Sequence, residues 1–186
     1  MHSLTKSINR VNSRMIAALY YLAVLLPEHA CAANPPIPKF TDYPAEIYSG
    51  EWMIPSSIKQ DGDMWRDNMG KMVPPPSINT AGKFYIAAHS CGTSCRYYTL
   101  TDLSNGRPSQ ALRLFSSQHA SSKSSKIGHV TIVDLITHPE SFLVLARSYS
   151  ETTDRQLPHC LARYFVLSDD GKFIKPITKP LECSDN

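Results

Sequence analysis

The residues best able to do chemistry lie between 89 and 95, in the stretch HSCGTSC. A Cys91 thiolate beside the His89 imidazole would be a nucleophile with its base. Ser90 or Ser94, with His89 or His159 and an aspartate, would make the hydroxyl version of the same device. Spacing alone carries neither. Side chains two apart on a strand share a face without touching, and the serine-elbow pattern G-x-S-x-G does not occur. Cys91, Cys95, Cys160 and His159 are zinc-ligand types, but their spacings fit no compact zinc pattern. A redox pair usually has two residues between its cysteines at a helix start, whereas CGTSC has three between strand-like segments. Paired acids such as Asp169-Asp170, or Asp102, are explained by turns. The expectation is therefore no catalytic residue, no metal and no cofactor, and no reaction is named.

The compartment is better marked. Lys6, Arg10 and Arg14 form a basic start, Met15–Leu26 is an uninterrupted apolar run of 12, and small residues follow Pro27. That order is the layout of a secretory signal peptide over residues 1–33, cut after Ala32 or Ala33. The run is too short to span a bilayer, which takes about 20 residues. Glu28 and His29 are poor neighbours for a lipidated Cys31, which is expected to leave with the signal. Removing residues 1–33 takes three basic residues and Glu28, leaving 16 basic against 15 acidic groups. A chain so near neutrality has no electrostatic footprint for nucleic acid. The expectation is one periplasmic or secreted domain over 34–186, with no stable membrane span.

Four cysteines remain in that domain: Cys91, Cys95, Cys160 and Cys183. An even number in an exported chain reads as two disulfides, with three possible pairings. The tight CGTSC loop favours Cys91–Cys95, leaving Cys160–Cys183 to tie the tail to the sheet. The other pairings would staple the two halves of the domain together.

The elements that must position these residues are mostly strands. Asn34–Phe40 is proline-rich and extended, and Tyr43–Tyr48 reads as an edge strand. Gln60–Met72 has Asp61 or Asp63 as a cap, with Met64, Trp65, Met69 and Met72 at near-helical spacing, so a helix is expected over about 61–72. Asp61, Asp63 and Asp67 lack the glycine and glutamate of a calcium loop. After Val73–Ser77 the chain turns β, with strands expected near 83–90, 96–103, 111–115, 127–137, 141–148, 161–168 and 172–177. Asn105-Gly106 marks a hairpin turn, and 116–126, with six serines, a mobile loop. The fold class is mainly β with a minor α part: an antiparallel meander, sandwich or small barrel of about seven strands over 83–177, with one N-terminal helix.

Arg96-Tyr97-Tyr98-Thr99-Leu100 matches Arg163-Tyr164-Phe165-Val166-Leu167, each copy preceded by a strand and followed by a turn. The domain therefore reads as two similar hairpin units. Arg96, Tyr97, Tyr98, Arg163, Tyr164 and His89 offer aromatic and cationic groups of the kind enriched at interface hot spots. They form the expected binding surface, although half must fill the core.

The arrangement FTDYPAEIYSG, then Trp65-Arg66, then INTAGKFYIAAHSCGTSC and a DLSNG hairpin resembles a family of small exported proteins of Gram-negative bacteria. The matching positions are Asn79, Ala81, Gly82, Tyr85, Cys91, Gly92 and Cys95, and the resemblance covers roughly 40–175. Lys83-Phe84 stands where that family usually has histidine, and His89-Ser90 where it commonly has an aromatic residue. The family has no established activity, so the resemblance implies export and a β-rich fold. The functional expectation is a non-enzymatic envelope binding module, for example an inhibitor or immunity-type protein acting on another protein. The alternatives are an envelope enzyme or thiol-redox protein using the His89–Cys95 loop, and a structural piece of an envelope assembly.

Overall fold

The computed structural model describes residues 36–92, 95–116, 129–151 and 159–183. The expected signal peptide, Cys31 and most of the serine-rich loop lie outside them. Three antiparallel sheets follow one another along the chain. The first holds β1 (Ile58–Asp61), β2 (Met64–Asp67) and β3 (Met72–Val73), in that order. The second holds β4 (Phe84–Gly92), β5 (Cys95–Asp102) and β6 (Arg107–Ser109). The third holds β7 (His129–Thr137), β8 (Leu143–Glu151), β9 (His159–Leu167) and β10 (Ile174–Pro176) in the order β10-β9-β8-β7, and β11 (Leu181–Glu182) also pairs with β9.

β4 explains why the sheets stack. Phe84, Tyr85, Ile86 and Ala87 are all buried, as is His89. A strand apolar at successive positions has two faces to hide. Phe84 and Ile86, with Tyr98 and Leu100 of β5, pack against Val144, Ala146, Phe165 and Leu167 of the third sheet. Phe115 closes one end of this core, edge-on to Phe165 at 5.0 Å between centroids. On the other face, Tyr85, Ala87 and Leu103 pack against Ile58 and Val73 of the first sheet, with Trp65 beside them. The second sheet is thus the middle layer of three. Each fully buried large apolar side chain contributes roughly 1.5–3 kcal/mol. The molecule is mainly β and sandwich-like, and the described strands close no barrel.

The helix expected over 61–72 is corrected to a hairpin. Asp61 pairs with Met64 across the two-residue loop Gly62-Asp63, and Gly62 has φ +60°. Such a loop wants glycine first, because only glycine takes that φ freely. Trp65 and Asp67 then face the middle sheet while Met64 is exposed, a period of two rather than 3.6. The strand expected at 111–115 is a 3-10 turn, Ala111–Phe115. Leu112 and Phe115 lie three apart, so one tight turn aims both at the core. Residues 43–48 make only an isolated bridge, Pro44 to Ser141. Their backbone still clamps the domain, with Ala45 N donating to Glu140 O and Tyr48 N to Gly82 O, both at 2.8 Å.

The two similar units appear as two three-stranded meanders, β4-β5-β6 and β8-β9-β10. Tyr98 and Leu100 of one, and Phe165 and Leu167 of the other, enter the same core from opposite sheets. The registers differ: Tyr98 lies opposite Ala88, Phe165 opposite Val144.

Candidate functional site

His89 sits near the end of β4, on the face toward the first sheet. Tyr97 is its direct cross-strand partner, and the two rings stack at 4.6 Å and 10°. The His89 Nδ1 lies 2.8 Å from Asp67 Oδ2 of β2, and its Nε2 lies 2.8 Å from Thr99 Oγ1 of β5. Both His89 and Asp67 have only 4% of their side chains exposed. Asp67 is anchored in turn: its Oδ1 accepts the backbone N–H groups of Met69 and Lys71 at 2.9 and 3.0 Å. Burial pushes the Asp67 carboxyl up, but the bonds from His89, Lys71 and Met69 together hold it below the usual aspartate range. With Asp67 ionised, Nδ1–H donates to the carboxylate, and in the neutral imidazole Nε2 then accepts the Thr99 hydroxyl.

That order, carboxylate to imidazole to hydroxyl, is the order of an activated nucleophile. Chemically, Thr99 Oγ could attack an acyl carbon while its proton passes to His89 Nε2 and then to the leaving group. Packing favours a different role. The chain lies between two sheets, and each buried polar group in it has a partner, as buried polar groups must. It ties β2 to β4 and β5 by side-chain hydrogen bonds where the apolar core between those layers ends.

The cysteines expected beside it are disulfide-bonded. Cys91 pairs with Cys95 and Cys160 with Cys183, at Cα separations of 5.0 and 5.4 Å. Cys91 therefore offers no thiolate to His89, whose ring nitrogens are both engaged elsewhere. Among the described residues no group of three or more histidines, cysteines or acids is placed to hold a metal ion. Ser90 is exposed, on the opposite side of β4 from the imidazole. Ser94 and the side chain of His159 lie outside the described residues.

The residues expected to form one binding surface divide among several. Tyr97 and His89 face the first sheet. Tyr98 is buried in the main core, and its hydroxyl donates to Val133 O at 2.6 Å. Arg96, two residues earlier, makes an ion pair with Asp134 of β7. Together they fasten β5 to the edge of the third sheet. Arg163 also lies on the core side, where its Nε donates to Thr178 O at 2.9 Å and its guanidinium lies 5.6 Å from the Phe165 ring centre. Tyr164 is on the other face of β9, opposite Leu145.

Arg163 borders a cavity of about 240 Å³. Its apolar walls are Phe115, Val133, Ala146, Leu161, Phe165 and Pro180. Ser148 also lines it but donates its hydroxyl to Leu161 O at 3.2 Å. The Pro180 wall is held by β11, which pairs with β9, and by the Cys160–Cys183 bond just beyond.

Asn79, Ala81, Gly82 and Tyr85, which carry the resemblance, build the fold. The Asn79 side chain bonds both backbone groups of Ile86, at 2.8 and 2.9 Å. Ala81 and Gly82 turn the chain with φ +47° and +73°. The Tyr85 hydroxyl donates to Pro74 O, and burial raises its pKa to about 12.

Asp67 and Thr99 were not legible as partners of His89. Asp67 lies 22 residues away, in a segment whose spacing imitates a helix. A Gly62-Asp63 hairpin signal was the clue that would have put Asp67 on a strand beside it. In comparisons with known proteins, the chain matches no family model, no curated protein and no solved structure.

Proposed function

We propose that this is an exported, non-enzymatic binding module of the cell envelope that recognises another protein, as an inhibitor or immunity-type protein does. The observation that carries the reading is a strip of three successive large apolar side chains. Trp52, Met53 and Ile54 are 43%, 56% and 40% exposed just before β1. The strip is held in place, since Met53 N donates to Leu103 O at 2.8 Å. Met64, Met69 and Met72 are also exposed on and around the first sheet. Tryptophan and methionine are enriched at interfaces, and methionine adapts its shape to a partner. Export is supported by the basic and apolar N-terminal pattern. The two disulfides are compatible with an extracytoplasmic location. No helix among the described residues is long and apolar enough to cross a membrane.

A photo-crosslinking residue at Trp52, in cells, tests this. One discrete envelope protein is expected to crosslink, and Met53→Asp is expected to abolish the product. No specific product, or one that survives Met53→Asp, overturns the reading.

The Asp67–His89–Thr99 chain favours a second reading, an envelope hydrolase acting through Thr99. It requires turnover of an ester or amide that disappears in both Thr99→Val and His89→Ala. Turnover with that dependence would displace the binding-module reading.

A further inference from the structure

We propose that the cavity beside Arg163 is a binding site for a single medium-length acyl chain, recognised through its carboxylate. This site is separate from the Trp52 strip and goes beyond the protein-binding reading. Two arginines occupy matching places in the two similar meanders, Arg96 and Arg163. Arg96 is neutralised by Asp134. Arg163 has no carboxylate partner among the described residues. Its Nε is pinned to Thr178 O at 2.9 Å and its plane lies near the Phe165 ring. Among the described residues no acceptor is bonded to the Nη groups of that guanidinium. They form the fork that fits a carboxylate with two parallel bonds.

The rest of the cavity specifies the body of the ligand. Six of its eight lining residues are apolar. Ser148 spends its hydroxyl on Leu161 O. Arg163 is therefore the single recognition group in an apolar bed, the pattern of a small-molecule site. At about 240 Å³ the space equals roughly eight water volumes. That is room for a chain of about eight to ten carbons lying in a partly open pocket.

Calorimetry on the purified protein with octanoate, decanoate, decanol and decyl phosphate tests the assignment. Decanoate is expected to bind about tenfold more tightly than octanoate, from two more buried methylenes. Arg163→Met is expected to weaken decanoate at least tenfold and to leave decanol unchanged, and Arg163→Lys to fall between. Ser148→Leu, which fills the cavity without touching the arginine, is expected to lose decanoate and decanol alike. Each variant's melting temperature verifies that it is folded. Absence of decanoate binding to the folded parent, or equal binding to folded Arg163→Met, overturns the site. Tighter binding of decyl phosphate than decanoate overturns the carboxylate assignment. None of these outcomes bears on crosslinking at Trp52, so the two readings fail separately.

Discussion

Asp67 does more for the molecule than its place in a short strand suggests. One carboxylate oxygen satisfies two turn N–H groups, and the other holds the His89 ring at 2.8 Å. A carboxyl held below its ordinary value in the folded state stabilises that state above its unfolded pKa. The contribution fades as pH falls from that value through the folded one. The ordinary aspartate value is 3.8, so the loss falls below about pH 4. Asp67→Asn exchanges the charged acceptor for an amide and mismatches at least one donor. It is expected to cost about 1–3 kcal/mol near neutral pH. Urea unfolding of parent and variant at pH 7 and pH 3 measures this, and the gap must narrow at pH 3. A gap that stays constant would mean that packing, not ionisation, makes Asp67 matter.

At the scale of elements, the two disulfides do unequal work. Cys91–Cys95 closes the tip of one hairpin, four residues apart, while Cys160–Cys183 spans 23. The longer closure removes more freedom from the unfolded chain, about 3 kcal/mol against about 2 by the entropy argument. Replacing Cys160 and Cys183 together by alanine is therefore expected to lower the melting temperature more than replacing Cys91 and Cys95. It should also open the tail to protease after Thr178, because β11 has only two residues paired to β9. Equal losses from both double variants would show that strain or local packing, not loop length, sets the contribution. The strands that carry Cys91, Cys95 and Cys160 were legible because long apolar or alternating runs end in turn residues; the two-residue β11 before Cys183 was not. The Asp102–Gly106 turn, capped by the Asp102 carboxylate, is one case. Residues 61–72 were not legible. Their methionines fall at 64, 69 and 72, which imitates a helical stripe, and only the loop glycine reveals the hairpin. The binding set was half legible. The residue types were right for a surface, but strand alternation sends Tyr97 and Tyr98 to opposite sides. Which side stays open depends on a third layer that was read as a helix.

The whole molecule is a stack whose layers are not equally fastened. The second and third sheets share the larger core, built from Phe84, Ile86, Tyr98, Leu100, Val144, Phe165 and Leu167 among others. Tyr98 and Arg96 add polar ties from β5 to β7. The first sheet is held by a smaller cluster around Ile58, Val73, Tyr85 and Leu103, together with the Asp67–His89–Thr99 chain. Its strands are two to four residues long. Few buried apolar contacts and short ladders are the marks of a unit that opens before the rest. Native-state hydrogen exchange is expected to show β1–β3 amides opening below the global unfolding free energy. Amides of β4 and β9 should exchange only when the whole domain unfolds. Asp67→Asn should speed exchange in β1–β3 and at His89 more than in β9, because it cuts the tie between layers and leaves the larger core intact. If all three sheets instead exchange with one free energy, the polar chain and the small core bind the first sheet as firmly as the main core binds the other two.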